Sequence, residues 1–211
     1  MSSRNQIFYT CTKDNINLVW KVSRMGDSPW MNNPEALKAE AQTHGFNSPF
    51  EEFAFALEMS RQGVRTVYPR AIYMTGRQRG SARQVSDERR YAALAEFHTP
   101  DGESAVRKEY DYITIWGFWN GPDELLAAQD GKYYQAINAK RAFTNKLISE
   151  QRLGDLTQMM ARRLAHCGFE DLNPKPDHLL VSFDAGKQLV LDTLSKPELR
   201  LCNFELLRRR P

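Results

Sequence analysis

The first half of the chain carries runs of aromatic and β-branched residues separated by polar segments, a pattern typical of β-strands. The runs at 7–12 and 18–23 flank a polar segment at 13–17 that contains Asp and Asn, which favour tight turns. These two runs predict a β-hairpin. Residues 110–119 are the most strand-like stretch of the chain, and residues 64–73 predict a further strand.

A helix is predicted between these strands, and both of its ends are marked in the sequence. Ser48 is a favourable N-cap, Pro49 suits the first helical turn, and Glu51 follows the serine at the spacing of a capping box. Gly63 supplies the stop signal. The apolar positions at helical spacing are Phe50, Phe53, Ala54 and Leu57.

The second half of the chain changes to a helical pattern. Helices are predicted over 123–129, 132–149 and 153–167. A last pair of strands, at 178–183 and 188–191, is joined by an Asp-Ala-Gly turn. Strands with one helix, followed by a helical half, predict an α+β fold.

Composition places the chain among ordinary globular proteins. Its 211 residues are 41% hydrophobic and 26% charged, with mean hydropathy −0.60, enough for one sizeable core or two small lobes. No segment approaches the roughly 20 apolar residues of a membrane helix, and the first residues lack a signal-peptide pattern, so we expect a cytoplasmic protein. The cysteines have no zinc or disulfide spacing and are expected to be buried free thiols. They are Cys11, Cys167 and Cys202.

The charge distribution argues against a domain built to bind nucleic acid. The net charge is only +3, although arginines are concentrated at 77–90 and at Arg208–Arg210. We interpret these segments as a solvated loop and a frayed tail. A non-enzymatic nucleic-acid-binding protein that uses the arginine-rich loop remains an alternative hypothesis.

Particular residues in this order give the chain a resemblance to the protein-kinase-like superfamily, including its small bacterial and lipopolysaccharide-kinase-type members. The strand that carries Lys21 resembles the one whose lysine holds the nucleotide phosphates, and Val19, on the same face, would touch the adenine. The resemblance pairs Lys21 with Glu52 of the following helix, with Glu58 as the second choice. It also implies that the backbone at Trp116–Phe118 meets an adenine edge.

Residues 166–181 are similar, without a gap, to the catalytic-loop pattern of that superfamily. In this alignment Lys175 keeps the role of steadying a transferred phosphoryl group, but Asn173 stands where the family has its proton-accepting aspartate. Asp171 replaces a histidine, and His178 replaces the metal-binding asparagine. An amide cannot take a proton, and an imidazole is a poor ligand for magnesium. The catalytic candidates are Asp171, Asn173 and Lys175.

Two alternatives stay open within the resemblance. A shifted register would make Asp171 the catalytic base, but it leaves extra residues before His178. The second metal-binding segment is expected at Asp192 because of its spacing from His178, whereas Asn203–Glu205 has the better local pattern but an amide in place of the carboxylate.

The resemblance implies a kinase-like two-lobed α+β fold. A small β-rich amino-terminal lobe would span 1–121, and a truncated, mainly helical lobe would span 122–211. A glycine-rich loop before Ile7 and an activation segment after Leu207 are missing from this pattern. The expected function is that of a degenerate or incomplete kinase that retains an ATP and magnesium site, has weak or no phosphotransfer, and acts through protein contacts. The alternative is an active atypical phosphotransferase with Asp171 as its base.

Overall fold

The computed structural model describes residues 7–14, 16–23, 25, 39–78, 89–107, 109–121 and 135–210. It has an α+β architecture with a four-stranded antiparallel sheet in the first half, in the order β1-β2-β4-β3. The strands are β1 (Ile7–Cys11), β2 (Asn17–Val22), β3 (Tyr68–Gln78) and β4 (Tyr110–Gly117). The coarse α+β prediction is therefore confirmed.

The hairpin β1-β2 and the strand β4 lie close to their predicted bounds. Strand β2 is central, paired with β1 on one side and β4 on the other, and its register sets Val19 opposite Trp116. In the sequence, helices α1 (Ala39–His44) and α2 (Pro49–Arg61) follow β2 and precede β3.

The capping prediction for α2 is confirmed in detail. The Ser48 hydroxyl accepts from the Glu51 amide at 3.1 Å, and the Glu51 carboxylate accepts from the Ser48 amide at 2.7 Å. Gly63 follows the helix with φ of 85°, a conformation in which a side chain would be strained.

The second half contains helices α3 (Ala139–Thr144) and α4 (Glu150–His166). The strands β5 (Gln135–Asn138), β7 (Leu179–Phe183) and β8 (Leu199–Leu201) form a sheet in the order β5-β7-β8. The strands β6 (Phe169–Asp171) and β9 (Leu207–Arg209) form a separate ladder. Short 3-10 helices span Arg89–Leu94 and Pro176–His178.

The helix predicted over 132–149 is confirmed only over Ala139–Thr144, and its described residues before this helix form a strand. Residues of β5 pair with β7, and α3 begins only after Asn138, whose side chain accepts from the Arg141 amide at 2.7 Å. The helix predicted over 153–167 is confirmed, but it begins earlier in the chain, at Glu150, directly after the N-cap Ser149. The helix predicted over 123–129 and most of the arginine-rich segment lie outside the described residues.

The basic tail is also ordered, contrary to its interpretation as frayed. Strand β9 pairs with β6, and Arg208 contacts the carboxylates of Glu170 and Glu40 at 2.5 and 2.8 Å. Arg209 contacts Glu58 at 2.5 Å. These arginines are therefore engaged within the chain.

One hydrophobic core cluster joins the two halves of the chain. It runs from Met59 of α2 and Trp116 of β4 to Leu156 of α4 and Leu199 of β8. Phe204 stacks on Trp116 with ring centroids 5.0 Å apart, and Phe53 meets the same indole edge-on at 4.7 Å. None of the described helices combines the length and hydrophobicity needed to cross a bilayer.

Candidate functional site

The most unusual feature of the core is a group of three buried charged side chains. The Lys21 ammonium lies 2.6 Å from Glu52 Oε2 and 3.6 Å from Glu205 Oε1. Their relative exposures are 7%, 0% and 5%, respectively. Burial of ionised groups is costly unless they are paired, so such a group needs a structural or functional reason.

Local structure explains why Glu52 is the partner of Lys21. The capping box uses Glu51, which leaves its neighbour Glu52 buried at the start of α2. Lys21 lies on the central strand β2, opposite Thr114 of β4. Glu58, the second choice, contacts Arg209 instead.

The three charges alter one another's protonation. Burial acts to lower the pKa of Lys21, but the attraction of Glu52 and Glu205 outweighs it, so the pKa stands above its ordinary value. Burial raises the pKa of Glu52 to about 7; Lys21 opposes this shift and Glu205 adds to it. The Oε1 atom of Glu52 has no hydrogen-bond partner among the described residues.

A cavity of about 250 Å³ opens beside this charged group. Four of the residues expected at a nucleotide site line it together: Val19, Lys21, Trp116 and Phe118. Its other lining residues are Ile7, Val67, Gly117, Trp119, Ala136, Asn138, Asp177, Leu180 and Cys202. The wall is mainly apolar and aromatic, with Lys21 as its one cation among the described residues.

The backbone at the cavity differs from the expectation in one respect. The Phe118 amide, expected to meet an adenine edge, donates to the Asn17 carbonyl at 3.3 Å. A ligand here would therefore rely on contact with the aromatic side chains more than on this amide.

Asn203–Glu205, and not Asp192, is the segment beside Lys21. Glu205 contacts the Lys21 ammonium, and Phe204 packs on the core face of Trp116. The Asn203 carboxamide oxygen accepts from the Glu205 amide at 2.9 Å, which holds the turn.

Asp192 lies in a different environment. Its carboxylate accepts from the amides of Leu194 and Lys196, both at 2.9 Å, and lies 3.8 Å from Arg163. It lines a separate cavity with Gly63 and other residues around α4. The prediction of Asp192 rested on its spacing from His178, and this spacing includes an additional hairpin whose turn Asp192 closes. The hairpin is shown by the bridge between Leu191 and Pro197.

Asp171 and His178 form a hydrogen-bonded pair, with the imidazole Nδ1 donating to Asp171 Oδ2 at 3.0 Å. The other oxygen of Asp171 accepts from the Asn173 amide at 2.8 Å. Asp171, Lys175 and His178 line a second cavity, of about 190 Å³, next to α4. They do not line the Lys21 cavity.

Asp177 was not selected by the sequence reasoning, and Glu205 was considered only within the alternative metal-binding segment Asn203–Glu205. Asp177 lines the Lys21 cavity, and Glu205 belongs to the buried charged group. A sequence signal for Glu205 existed, since an acidic residue between Phe204 and two leucines interrupts an apolar run.

The cysteines form no disulfide, as expected, but the expectation that they are buried is not met: Cys11 is exposed on strand β1, and Cys167 and Cys202 are of intermediate exposure. Cys202 lines the Lys21 cavity, where burial raises the pKa of its thiol to about 12 against the opposing effect of Lys21. The thiol therefore contributes no charge at neutral pH.

The donor set does not fit magnesium. Magnesium prefers several oxygen ligands, but the Asn203 carboxamide oxygen accepts from the Glu205 amide, Glu205 contacts Lys21, and Asp192 lies at another cavity. Across the described ranges, no group of three His, Cys, Asp or Glu side chains could hold a metal ion.

Comparisons with protein-family models, with curated proteins and with solved structures found no match for this chain.

Proposed function

We propose that this chain is a degenerate or incomplete protein-kinase-like protein that binds a nucleotide-type ligand, has weak or no phosphotransfer, and acts through protein contacts. The observation that carries the proposal is the cavity beside the Lys21–Glu52 ion pair. Val19, Lys21, Trp116 and Phe118, which were selected by resemblance, line that one cavity.

The surroundings of the cavity support a ligand-binding role. Apolar and aromatic walls with a few polar groups are typical of small-molecule sites. The aromatic side chains of Trp116, Phe118 and Trp119 line the cavity, where a planar base would contact them.

The positions of the polar groups argue against efficient phosphoryl transfer. Catalysis of this reaction depends on positioning and on stabilising charge on the phosphate oxygens, usually with magnesium. The chain supplies no fitting set of metal ligands among its described residues, and Asn173 has an amide where a proton acceptor is needed. Each 1.36 kcal/mol of lost stabilisation lowers the rate about tenfold.

Contacts with a protein partner are supported by strand β1. Among the described strands it lies at the edge of the sheet, and Ile7, Phe8 and Tyr9 are all exposed on it. An exposed edge with large apolar side chains is a favourable place for another chain to pair.

The alternative of an active phosphotransferase with Asp171 as base is less well supported. Both oxygens of Asp171 already accept hydrogen bonds, from Asn173 and His178, and Asp171 lines the other cavity. Transfer of labelled γ-phosphate that Asp171→Asn abolishes would favour this alternative over the proposal.

The test of the proposal is calorimetric titration with adenosine and with ATP. Val19→Phe should abolish the heat of binding because the larger ring fills the cavity. Val22→Phe is the matched control, since Val22 lies on the same strand but its side chain alternates to the other face. If neither ligand binds the parent protein at millimolar concentration, the proposed function is wrong.

A further inference from the structure

The buried ammonium of Lys21 is already occupied by carboxylates of this chain. Glu52 lies 2.6 Å away and Glu205 lies 3.6 Å away. A ligand phosphate that approached Lys21 would have to compete with both carboxylates and would meet the negative charge of Glu205 at close range.

Glu205 is held firmly in this position by its backbone. The Asn47 amide donates to the Glu205 carbonyl at 2.8 Å, and the Asn47 side chain donates to the carbonyls of Phe204 and Leu207 at 2.7 and 2.8 Å. Because Asn47 is itself buried, these hydrogen bonds fix the segment that carries the carboxylate. The competition with a phosphate is therefore built into the fold.

The cavity wall adds a further negative group. Asp177 lines the cavity that Lys21 and Cys202 also line. Two guanidinium groups lie near the aromatic wall: Arg200 lies against the Trp119 ring and is engaged by the Thr66 carbonyl and Glu198, and Arg70, which is exposed, lies against Gly117. The polar end of the cavity thus favours a ligand without negative charge.

We propose that the cavity takes an uncharged planar ligand of the nucleoside or nucleobase class, and that Glu205 excludes phosphorylated forms by occupying Lys21. This inference rests on the proposed function, because it accepts a nucleotide-type ligand and specifies which form binds. A site that resembles one for a charged nucleotide would then bind only the uncharged nucleoside or nucleobase.

The experiment compares adenosine, AMP and ATP by calorimetric titration of the full chain, first without magnesium. Adenosine is expected to bind the parent protein most tightly, and each added phosphate is expected to weaken binding. Magnesium, which binds the ATP phosphates in solution, should leave this ranking unchanged, because the complex still carries negative charge and the site supplies no fitting set of magnesium ligands among its described residues.

Glu205→Gln is the decisive variant. It keeps the shape of the side chain and removes its charge, so the affinity for ATP should rise at least about tenfold while the affinity for adenosine stays within about twofold. Glu58→Gln is the matched control, since it removes a carboxylate that contacts Arg209 and does not line the cavity. It should leave all three affinities unchanged.

The outcomes separate this inference from the proposed function. Tighter binding of ATP than of adenosine by the parent protein, with or without magnesium, overturns the inference and leaves the proposed function standing. An unchanged ATP affinity in folded Glu205→Gln also overturns it. If none of the three ligands binds, the proposed function itself fails. The comparison on the parent protein decides the ranking even where the variant does not fold.

Discussion

Replacing Lys21 with methionine should destabilise the protein strongly, apart from any effect on binding. The substitution removes the ammonium from between Glu52 and Glu205 and leaves two buried carboxylates facing each other. Removing one partner of a buried ion pair costs about 3–5 kcal/mol. For a chain of this size, that loss corresponds to a fall in the unfolding temperature of roughly 6–20 °C.

The cost should depend on pH, because a carboxylate that takes up a proton no longer needs the ammonium. The pKa of Glu52 already stands near 7 in the presence of Lys21, and removal of the ammonium would raise it further. The destabilisation should therefore be largest at pH 8 and smaller at pH 5.5. The double variant Lys21→Met with Glu52→Gln should recover more than half of the loss at pH 8.

The assay is urea unfolding followed by tryptophan fluorescence, since Trp116 lies in the core against Phe204. If Lys21→Met remains within about 1 kcal/mol of the parent at pH 8, the three charges are not buried together and the reasoning is refuted. The result also affects binding experiments. A loss of ligand binding in Lys21→Met shows that Lys21 contacts the ligand only if the variant is also shown to be folded.

Three further predictions concern the same region. The pKa of Glu52 is about 7 in the folded chain, against its ordinary value of 4.5, so folding favours the protonated carboxyl. The free energy of unfolding should therefore fall by at most about 3 kcal/mol as the pH rises from 4.5 to 7. Urea unfolding at several pH values should show that Glu52→Gln removes this pH dependence. Phe204→Ala deletes a fully buried ring stacked on Trp116 and should cost about 3–5 kcal/mol in urea unfolding, and a cost below 1 kcal/mol would contradict the packing described. Asp192→Asn should leave adenosine binding unchanged in calorimetry, because Asp192 lines a different cavity; a fall of tenfold or more would return Asp192 to the binding site.

Local signals in the sequence were enough to predict α2 and its capping box. The pairing of Lys21 with a glutamate of this helix came from the family resemblance, and the capping box then excluded Glu51 and left Glu52. The hairpin β1-β2 was likewise predictable, because alternation and turn composition act over a few residues. The predicted helix over 132–149 shows the limit of this approach: α3 forms within it, but the pairing of β5 with the distant strand β7 overrides the helical pattern at 135–138.

The contact of Glu205 with Lys21 could not be derived from spacing, although the local pattern at Asn203–Glu205 pointed to the correct segment. Its place beside Lys21 depends on the pairing of β9 with β6. It also depends on hydrogen bonds from the side chain of Asn47 to the carbonyls of Phe204 and Leu207, which lie more than 150 residues from Asn47 in the sequence. Counting residues favoured Asp192 because a count cannot reveal that the chain makes one more hairpin before returning to the core. The same long-range contacts that bring Glu205 to the ammonium decide which ligand the cavity can accept. The charge of the site is therefore set by the tertiary fold, whereas its apolar wall follows largely from the strand pattern of β2 and β4.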